Sequence, residues 1–244
     1  MLSATDTDRG TVLVVQHVAC ETLGTIEHAL RAQRLAHRYV RVHEGDPIPT
    51  QENDSCGLIV MGGPMSVYES ERLPHLVQEM RLIESALADR RPVLGICLGS
   101  QLLAQVLGSK VSAGPRKEIG WQRVRLNEPG QRDALWAGAP AEFQAFHWHG
   151  DVFDVPPGCV SLASSDQTAC QVFRSGASAY GVLFHMEVTE SLIDDIAASF
   201  PDELAQAGGS IEQLRLGAQE HLPALSSIGE RFFGGWARLA ALGA

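Results

Sequence analysis

Three features of the 244-residue sequence predict an α/β fold with a mixed, centrally parallel sheet flanked by helices. Residues 11–108 alternate strand-length apolar runs with helix-length segments, the pattern of parallel strands joined by crossover helices. Residues 109–185 change to shorter extended pieces separated by turn residues, which predicts a β-rich portion that is partly antiparallel. Residues 191–244 read as a helical C-terminal extension packed on the domain formed by 1–190.

Taken in order, TVLVVQ (11–16) is apolar enough for a buried strand, and a helical stretch follows over about 24–36. HRYVRV is a second strand. CGLIVMGG (56–63) is a third and ends in a glycine pair; residues 70–90 form a helix with apolar side chains at helical spacing. RPVLGI is the fourth strand and GSQLLAQVLG the helix after it. Beyond residue 109, SKVSAG, WQRVRL, AEFQAFHWHG, CVSLASS, ACQVFR and AYGVLFH read as separate extended pieces, with turns at 127–130 and 156–158. The last helical portion is interrupted near Pro201 and Gly208-Gly209, and Phe232, Phe233 and Trp236 sit at helical spacing, as core side chains do. The other reading of those aromatics is a surface for docking a partner.

Composition narrows the function. The chain is 45% hydrophobic, enough for a sizeable core. Its formal charge of −10 and the absence of a basic cluster argue against nucleic acid or an anionic membrane as partner. RAQRLAHRYVRVH interleaves its charges with apolar residues and reads as a solvated helix face followed by a strand. The polar start MLSATDTDRG has no leader pattern, and no apolar run reaches the roughly 18 residues of a membrane span. The five cysteines (Cys20, Cys56, Cys97, Cys159, Cys170) are scattered without a CxxC pair, so neither a disulfide framework nor a zinc site is expected, and the expected setting is a reducing cytoplasm.

The chemistry concentrates in three segments. In G-I-C-L-G, Gly95 and Gly99 flank Cys97 where strand pattern gives way to helix pattern. A residue at such a corner is forced into a strained backbone and projects its side chain above the sheet, with small neighbours making room. The positive end of the following helix favours thiolate, and the Leu98 N–H is placed as an oxyanion donor. A thiol nucleophile needs a base and the base an orienting group. His185, closing AYGVLFH, with Glu187 two residues on, has that pattern; His17, His28, His37, His43, His75 and His221 read as surface or packing residues. In MGGPMS, Gly62 and Gly63 form a loop whose amides can approach a carbonyl closely, making Gly63 a second oxyanion candidate.

Together these segments resemble the class I, or triad, glutamine amidotransferases, and in particular the amidotransferase domain of GMP synthetase and its stand-alone relatives. GGPMSVYE is similar to the family's glycine loop and GICLGSQLLAQVLGSKV to its nucleophile segment. KEIGWQRV, WHGDVFDVPPG and YGVLFHMEVTE are similar to its later motifs, in the same order over about residues 11–190. The resemblance implies the family's flavodoxin-like sheet and the hydrolysis of the side-chain amide of L-glutamine. Cys97 would form a γ-glutamyl thioester, His185 would shuttle protons and Glu187 would orient it, with Gly63 and Leu98 holding the oxyanion. It places Gly62, Gln101, His149 and Asp151 against the substrate, and requires neither metal nor organic cofactor. Two positions depart from the family's frequent pattern: Ser100, where a histidine often follows the second glycine, and Leu183-Phe184-His185-Met186-Glu187, where Gln-Phe-His-Pro-Glu is common. Both bear on substrate grip and partner coupling rather than on the triad.

No GxxxxGK[ST] loop occurs, so the resemblance points to a separate ammonia-accepting synthetase subunit as partner. Two rival functions share the same residues. A γ-glutamyl hydrolase or peptidase would use the same thioester and prefer γ-glutamyl peptides to free glutamine. A non-catalytic regulatory subunit would keep the fold and leave Cys97 unlabelled by a glutamine-analogue electrophile.

Overall fold

In a computed structural model of the chain, residues 10–51 and 54–243 are described; most of the polar N-terminal stretch, residues 1–9, lies outside them. Among the described residues, nine strands form one sheet. Five are parallel and adjacent: β1 (Thr11–Gln16), β2 (Ala36–Arg41), β3 (Ser55–Val60), β4 (Val93–Ile96) and β9 (Ala179–Val182), in the order β2-β1-β3-β4-β9. The sheet continues antiparallel through β8 (Val172–Ser175), β7 (Val160–Ser165), β5 (Val111–Leu126) and β6 (Glu142–Phe153).

Strand alternation divides the core in two. Val12 and Val14 face one side of β1, Leu13 and Val15 the other, and both sets are buried. The first side is covered by α1 (Ile26–Ala32), α5 (Glu190–Ser199) and α7 (Ile211–Leu242), the second by α2 (Pro74–Ala88) and α3 (Leu98–Val106). In α7, Phe232, Phe233 and Trp236 are at most 1% exposed, so this side of the helix is core. Trp136 lies 4.9 Å from Phe232, and Trp121 Nε1 donates to the Leu214 carbonyl at 3.0 Å. Ser210 and Gln213 cap the helix reciprocally. The interruptions read at Pro201 and Gly208-Gly209 delimit α6 (Pro201–Gln206).

Register aligns the strand ends that matter. Val15 pairs with Val60, Val60 with Gly95, and Ile96 with Val182. Residues 17–25, 61–66, 97 and 183–187 therefore all leave the sheet at the same carboxyl edge, where open α/β sheets gather ligands.

Several local expectations change. The pieces SKVSAG and WQRVRL are one 16-residue strand, because β6 pairs with both across an irregularity between Ala113 and Glu118. The expected turn at Asn127–Gly130 opens the short helix α4 (Glu128–Arg132): the Asn127 side chain accepts from the Gly130 N–H at 2.9 Å, and turn chemistry is also N-cap chemistry. The first helix is shorter than 24–36, bounded by Gly24 at φ +50° and Arg34 at φ +58°. His185 does not end β9. After Val182 the chain leaves the ladder, Leu183 N–H donating to Gln171 O (2.9 Å) and His185 N–H to Phe146 O (2.8 Å).

Candidate active site

Cys97 stands at the corner between β4 and α3 with φ +50° and ψ −108°, a region that L residues rarely occupy and that costs about 1–3 kcal/mol. Its neighbours explain the glycines. A Cβ on Gly95 would collide with the Gly99 backbone, and one on Gly99 with the Val60 carbonyl. The corner is fixed by hydrogen bonds: Cys97 N–H donates to Val182 O (2.8 Å), while Cys97 O accepts from Ser100 N–H (3.0 Å), Gln101 N–H (3.1 Å) and Ser100 Oγ (2.6 Å). Ser100 is wholly buried and bonds its own helical turn, so this departure from the family pattern supports the elbow from behind.

The thiol is 5% exposed and directs its S–H toward Trp148 O at 3.6 Å. The expectation of a freely favoured thiolate is amended. Burial pushes the Cys97 thiol up, and the interaction with His185 offsets only part of that rise. His185 Nδ1–H donates to Glu187 Oε1 at 2.6 Å, both side chains almost fully buried. Burial alone would lower the imidazole, but the Glu187 charge, joined by the hydrogen bonds to Cys97 and Glu187, outweighs it and holds His185 well above 6.5. The loop carrying this pair is pinned from both sides. Thr25 N–H donates to Glu187 O (2.9 Å), and Gly24 comes so close to that carbonyl that any Cβ would collide with it. Gly229 of α7 packs on the Met186 carbonyl, where a Cβ would lie 2.9 Å away. Met186, where the family often has proline, is a buried core side chain.

The glycine loop is held by residues that the sequence reading assigned to surface or packing roles. His17 is 1% exposed, with Nδ1 2.8 Å from Gly62 O and Nε2 2.7 Å from Glu79 Oε2; His75 Nδ1 lies 2.9 Å from the other Glu79 oxygen. Burial lowers His17, yet Glu79 raises it above 6.5 overall; burial raises Glu79, yet His17 brings it below 4.5. This is a buried ion pair fastening the loop to α2. A Cβ on Gly63 would lie 2.8 Å from His17 Cβ and 3.0 Å from Leu98 Cδ2, so the two oxyanion candidates are neighbours. Leu98 opens α3, so no carbonyl within the helix claims its N–H.

A cleft of about 160 Å³ opens over the thiol, lined among others by Glu21, Gly63, Gln101, Lys117, His149 and Asp151. That is below the roughly 300–1,000 Å³ of sites that bury drug-sized ligands, and suits one amino-acid side chain. Gln101 Nε2 donates to Asp151 O (3.3 Å), and Asp151 accepts from Tyr68 OH (3.2 Å). The rim is closed by Phe200 and by Glu203, which pairs with Lys117 at 2.9 Å. Glu21, Lys117, Phe200 and Glu203 were not singled out from the sequence. Only the placement of Glu21 in the polar loop after a buried parallel strand could have marked it.

Behind His149 lies a buried cluster whose ligand-type atoms fall within 4.8 Å of one another: Glu118, His147 and His149. Its bonds fit a proton-sharing network better than a cation. Glu118 accepts from Ser165 Oγ (2.6 Å), Thr168 Oγ1 (2.6 Å) and Gln171 Nε2 (2.9 Å). The Gln171 amide nitrogen is also 3.5 Å from His149 Nε2, so N–H bonds point into the space a cation would take. Burial drives His149 down to about 3 and His147 well below 6.5, so the 3.4 Å His149–Glu118 contact is polar rather than ionic.

Comparison with known proteins adds the likeness of the whole chain. The family model described as "Glutamine amidotransferase class-I" matches residues 20–197. The chain is 33% identical to the glutamine amidotransferase-like protein YfeJ of Salmonella typhimurium, over 80% of this chain and 83% of that one. It is 31% identical to the glutamine-hydrolyzing GMP synthase of Neisseria meningitidis over 66% of its own length, but spans only 30% of that enzyme. The crystal structure of a glutamine amidotransferase from Thermotoga maritima superimposes with a TM-score of 0.85 at 30% identity, covering 94% of this chain and 98% of the other.

Proposed function

Since the chain belongs to the class I glutamine amidotransferase family, we propose that it hydrolyses the side-chain amide of L-glutamine through Cys97, His185 and Glu187. The observation that carries this reading is the buried 2.6 Å His185–Glu187 bond on the loop beside a cysteine in a strained strand–helix corner. Cys97 gives its proton to His185, and the resulting thiolate adds to the γ-carbonyl carbon. The oxyanion is received by the N–H groups of Gly63 and Leu98, each such donor contributing about 10²–10³-fold in rate. The C–N bond breaks, the nitrogen takes the proton from His185 and leaves as ammonia, and a γ-glutamyl thioester remains. Water, losing a proton to His185, then attacks the thioester; glutamate departs and the thiol is restored.

Glu187 supports both proton transfers by favouring the imidazolium that forms in each. Gln101, His149 and Asp151, with Gly62, shape the glutamine side of the cleft. The ammonia passes to a synthetase partner, a reading supported by the likeness to a glutamine-hydrolyzing GMP synthase. The test is glutaminase activity of the wild type and of Cys97→Ala, alone and with co-purified partners. Hydrolysis abolished by the substitution is expected; turnover that survives it refutes the reading. Faster cleavage of γ-glutamyl peptides than of glutamine would move the assignment to a γ-glutamyl hydrolase.

A further inference from the structure

Glu21, in the loop between β1 and α1, has no place in the triad and yet lies beside it. Its Oε2 is buried and has no hydrogen-bond partner among the described residues. A methyl group added at Gly62 would collide with that oxygen while lying 3.3 Å from Cys97 Cβ, so carboxyl group and cysteine share one wall of the cleft. Glu21 is also within electrostatic reach of His185 and Glu187. A bare carboxyl oxygen against the reacting centre is costly unless a ligand group meets it. Lys117, the cation that lines the cleft, is engaged by Glu203. The group that completes the site is a hydrogen-bond donor, and the N–H groups of a bound amide are of that kind.

We infer that Glu21 receives the leaving nitrogen: its carboxyl group accepts an N–H hydrogen bond from the substrate amide and then holds the departing nitrogen as ammonium. This rests on the glutaminase reading and extends it. The protons balance as follows. Breakage of the C–N bond leaves its electron pair on nitrogen, and His185 supplies the proton that makes ammonia. The ammonia lone pair takes a second proton from the Glu21 carboxyl, giving an ammonium–carboxylate pair that separates as ammonium leaves. The γ-carboxylic acid released from the thioester returns a proton to Glu21, so the sum is amide plus water to carboxylate plus ammonium. Burial raises Glu21 above 4.5, the direction that a proton-donating carboxyl requires. Glu203, near enough to interact with Glu21, extends the acidic lining toward the rim.

The test compares two substrates with the same acyl group and different leaving groups: L-glutamine, and L-glutamate γ-methyl ester, which expels methanol and forms no ammonium. In Glu21→Gln the ratio of glutamine to ester turnover should fall about 10-fold or more, part of the 10²–10⁴-fold typical of positioned proton donors. Glu21→Asp, which keeps the carboxyl one methylene back, should fall between the two, and serves if the glutamine variant does not fold. Ammonium should inhibit ester hydrolysis in the wild type more strongly than in either variant. An unchanged ratio, with both activities lost together or neither affected, overturns the role of Glu21. A wild type that cleaves the ester through Cys97 but never glutamine overturns instead the glutaminase reading on which it rests.

Discussion

Replacing Glu79 by glutamine tests whether the buried pair beneath the glycine loop serves catalysis as well as stability. Glu79 is fully buried, accepting from His17 at 2.7 Å through one oxygen and from His75 at 2.9 Å through the other. The amide is isosteric, but its NH₂ turns one acceptor into a donor facing an imidazole, and His17 loses the charge that opposes its burial. Removing one member of a buried pair costs about 3–5 kcal/mol, and a hydrogen bond to a charged group about 1.5–3. His75 is partly solvated and contributes little, so we expect about 3 kcal/mol, or a fall in Tm of roughly 6–12 °C for a chain of this size. The sign with pH is specific. His17 is raised, so its contribution is complete below 6.5 and is lost as pH rises through its folded value; Glu79 is lowered, so its contribution is complete above 4.5 and is lost as pH falls through its folded value. The difference between variant and wild type should be largest between pH 4.5 and 6.5. Because His17 holds the Gly62 carbonyl at 2.8 Å, the loop donor at Gly63 should also drift, lowering kcat by up to about 10²-fold with a smaller change in KM. Thermal unfolding across pH, together with glutaminase kinetics, decides the matter. A Tm within 2 °C of wild type refutes the buried-pair account by roughly the margin of a surface substitution, and a lowered Tm with unchanged kcat refutes its link to the loop.

Two further outcomes follow from the same geometry. Cys97→Gly should be inactive yet more stable than the equally inactive Cys97→Ala by about 1 kcal/mol, since glycine relieves about 1–3 kcal/mol of positive-φ strain and loses about 0.5–1 in chain entropy; a Cys97→Gly less stable than Cys97→Ala in chemical denaturation would mean the corner is unstrained. Glu187→Gln should remove the largest influence opposing burial at His185, so that its ring protons, followed by NMR, titrate at lower pH than in the wild type. The stability that His185 adds below 6.5, and loses as pH rises through its folded value, should shrink in this variant; an imidazole that titrates as high as in the wild type would place the source of the shift elsewhere.

Much of the site was legible because its devices are local. Gly95-Ile96-Cys97-Leu98-Gly99 encodes the elbow in five consecutive residues, and the observed φ of +50° at Cys97 is what those glycines accommodate. His185 and Glu187 are two residues apart and meet at 2.6 Å. Residues whose importance depends on distant partners were misjudged or overlooked. His17 and His75 are ordinary polar positions until α2 brings Glu79 between them, 62 residues from one and four from the other. The join between β5's two halves escaped notice because β6 pairs with the residues on either side of Gly114-Pro115, where propensity alone would end a strand.

The sequence by itself determined the alternation of strand and helix, the glycine-flanked corner at Cys97, the close spacing of His185 and Glu187 to which we assign base and orienting carboxylate, and the family to which they point. Those features need only periodicity, glycine sterics and short spacings along the chain. The tertiary structure decided what surrounds them: the depth of burial that raises both the Cys97 thiol and the Glu21 carboxyl, the ion pair under the glycine loop, and the α7 packing behind Met186. Desolvation and charge proximity depend on the distance between groups in space, and the parallel register that brings residues 21, 62, 97 and 185 to one edge exists only once the sheet is formed.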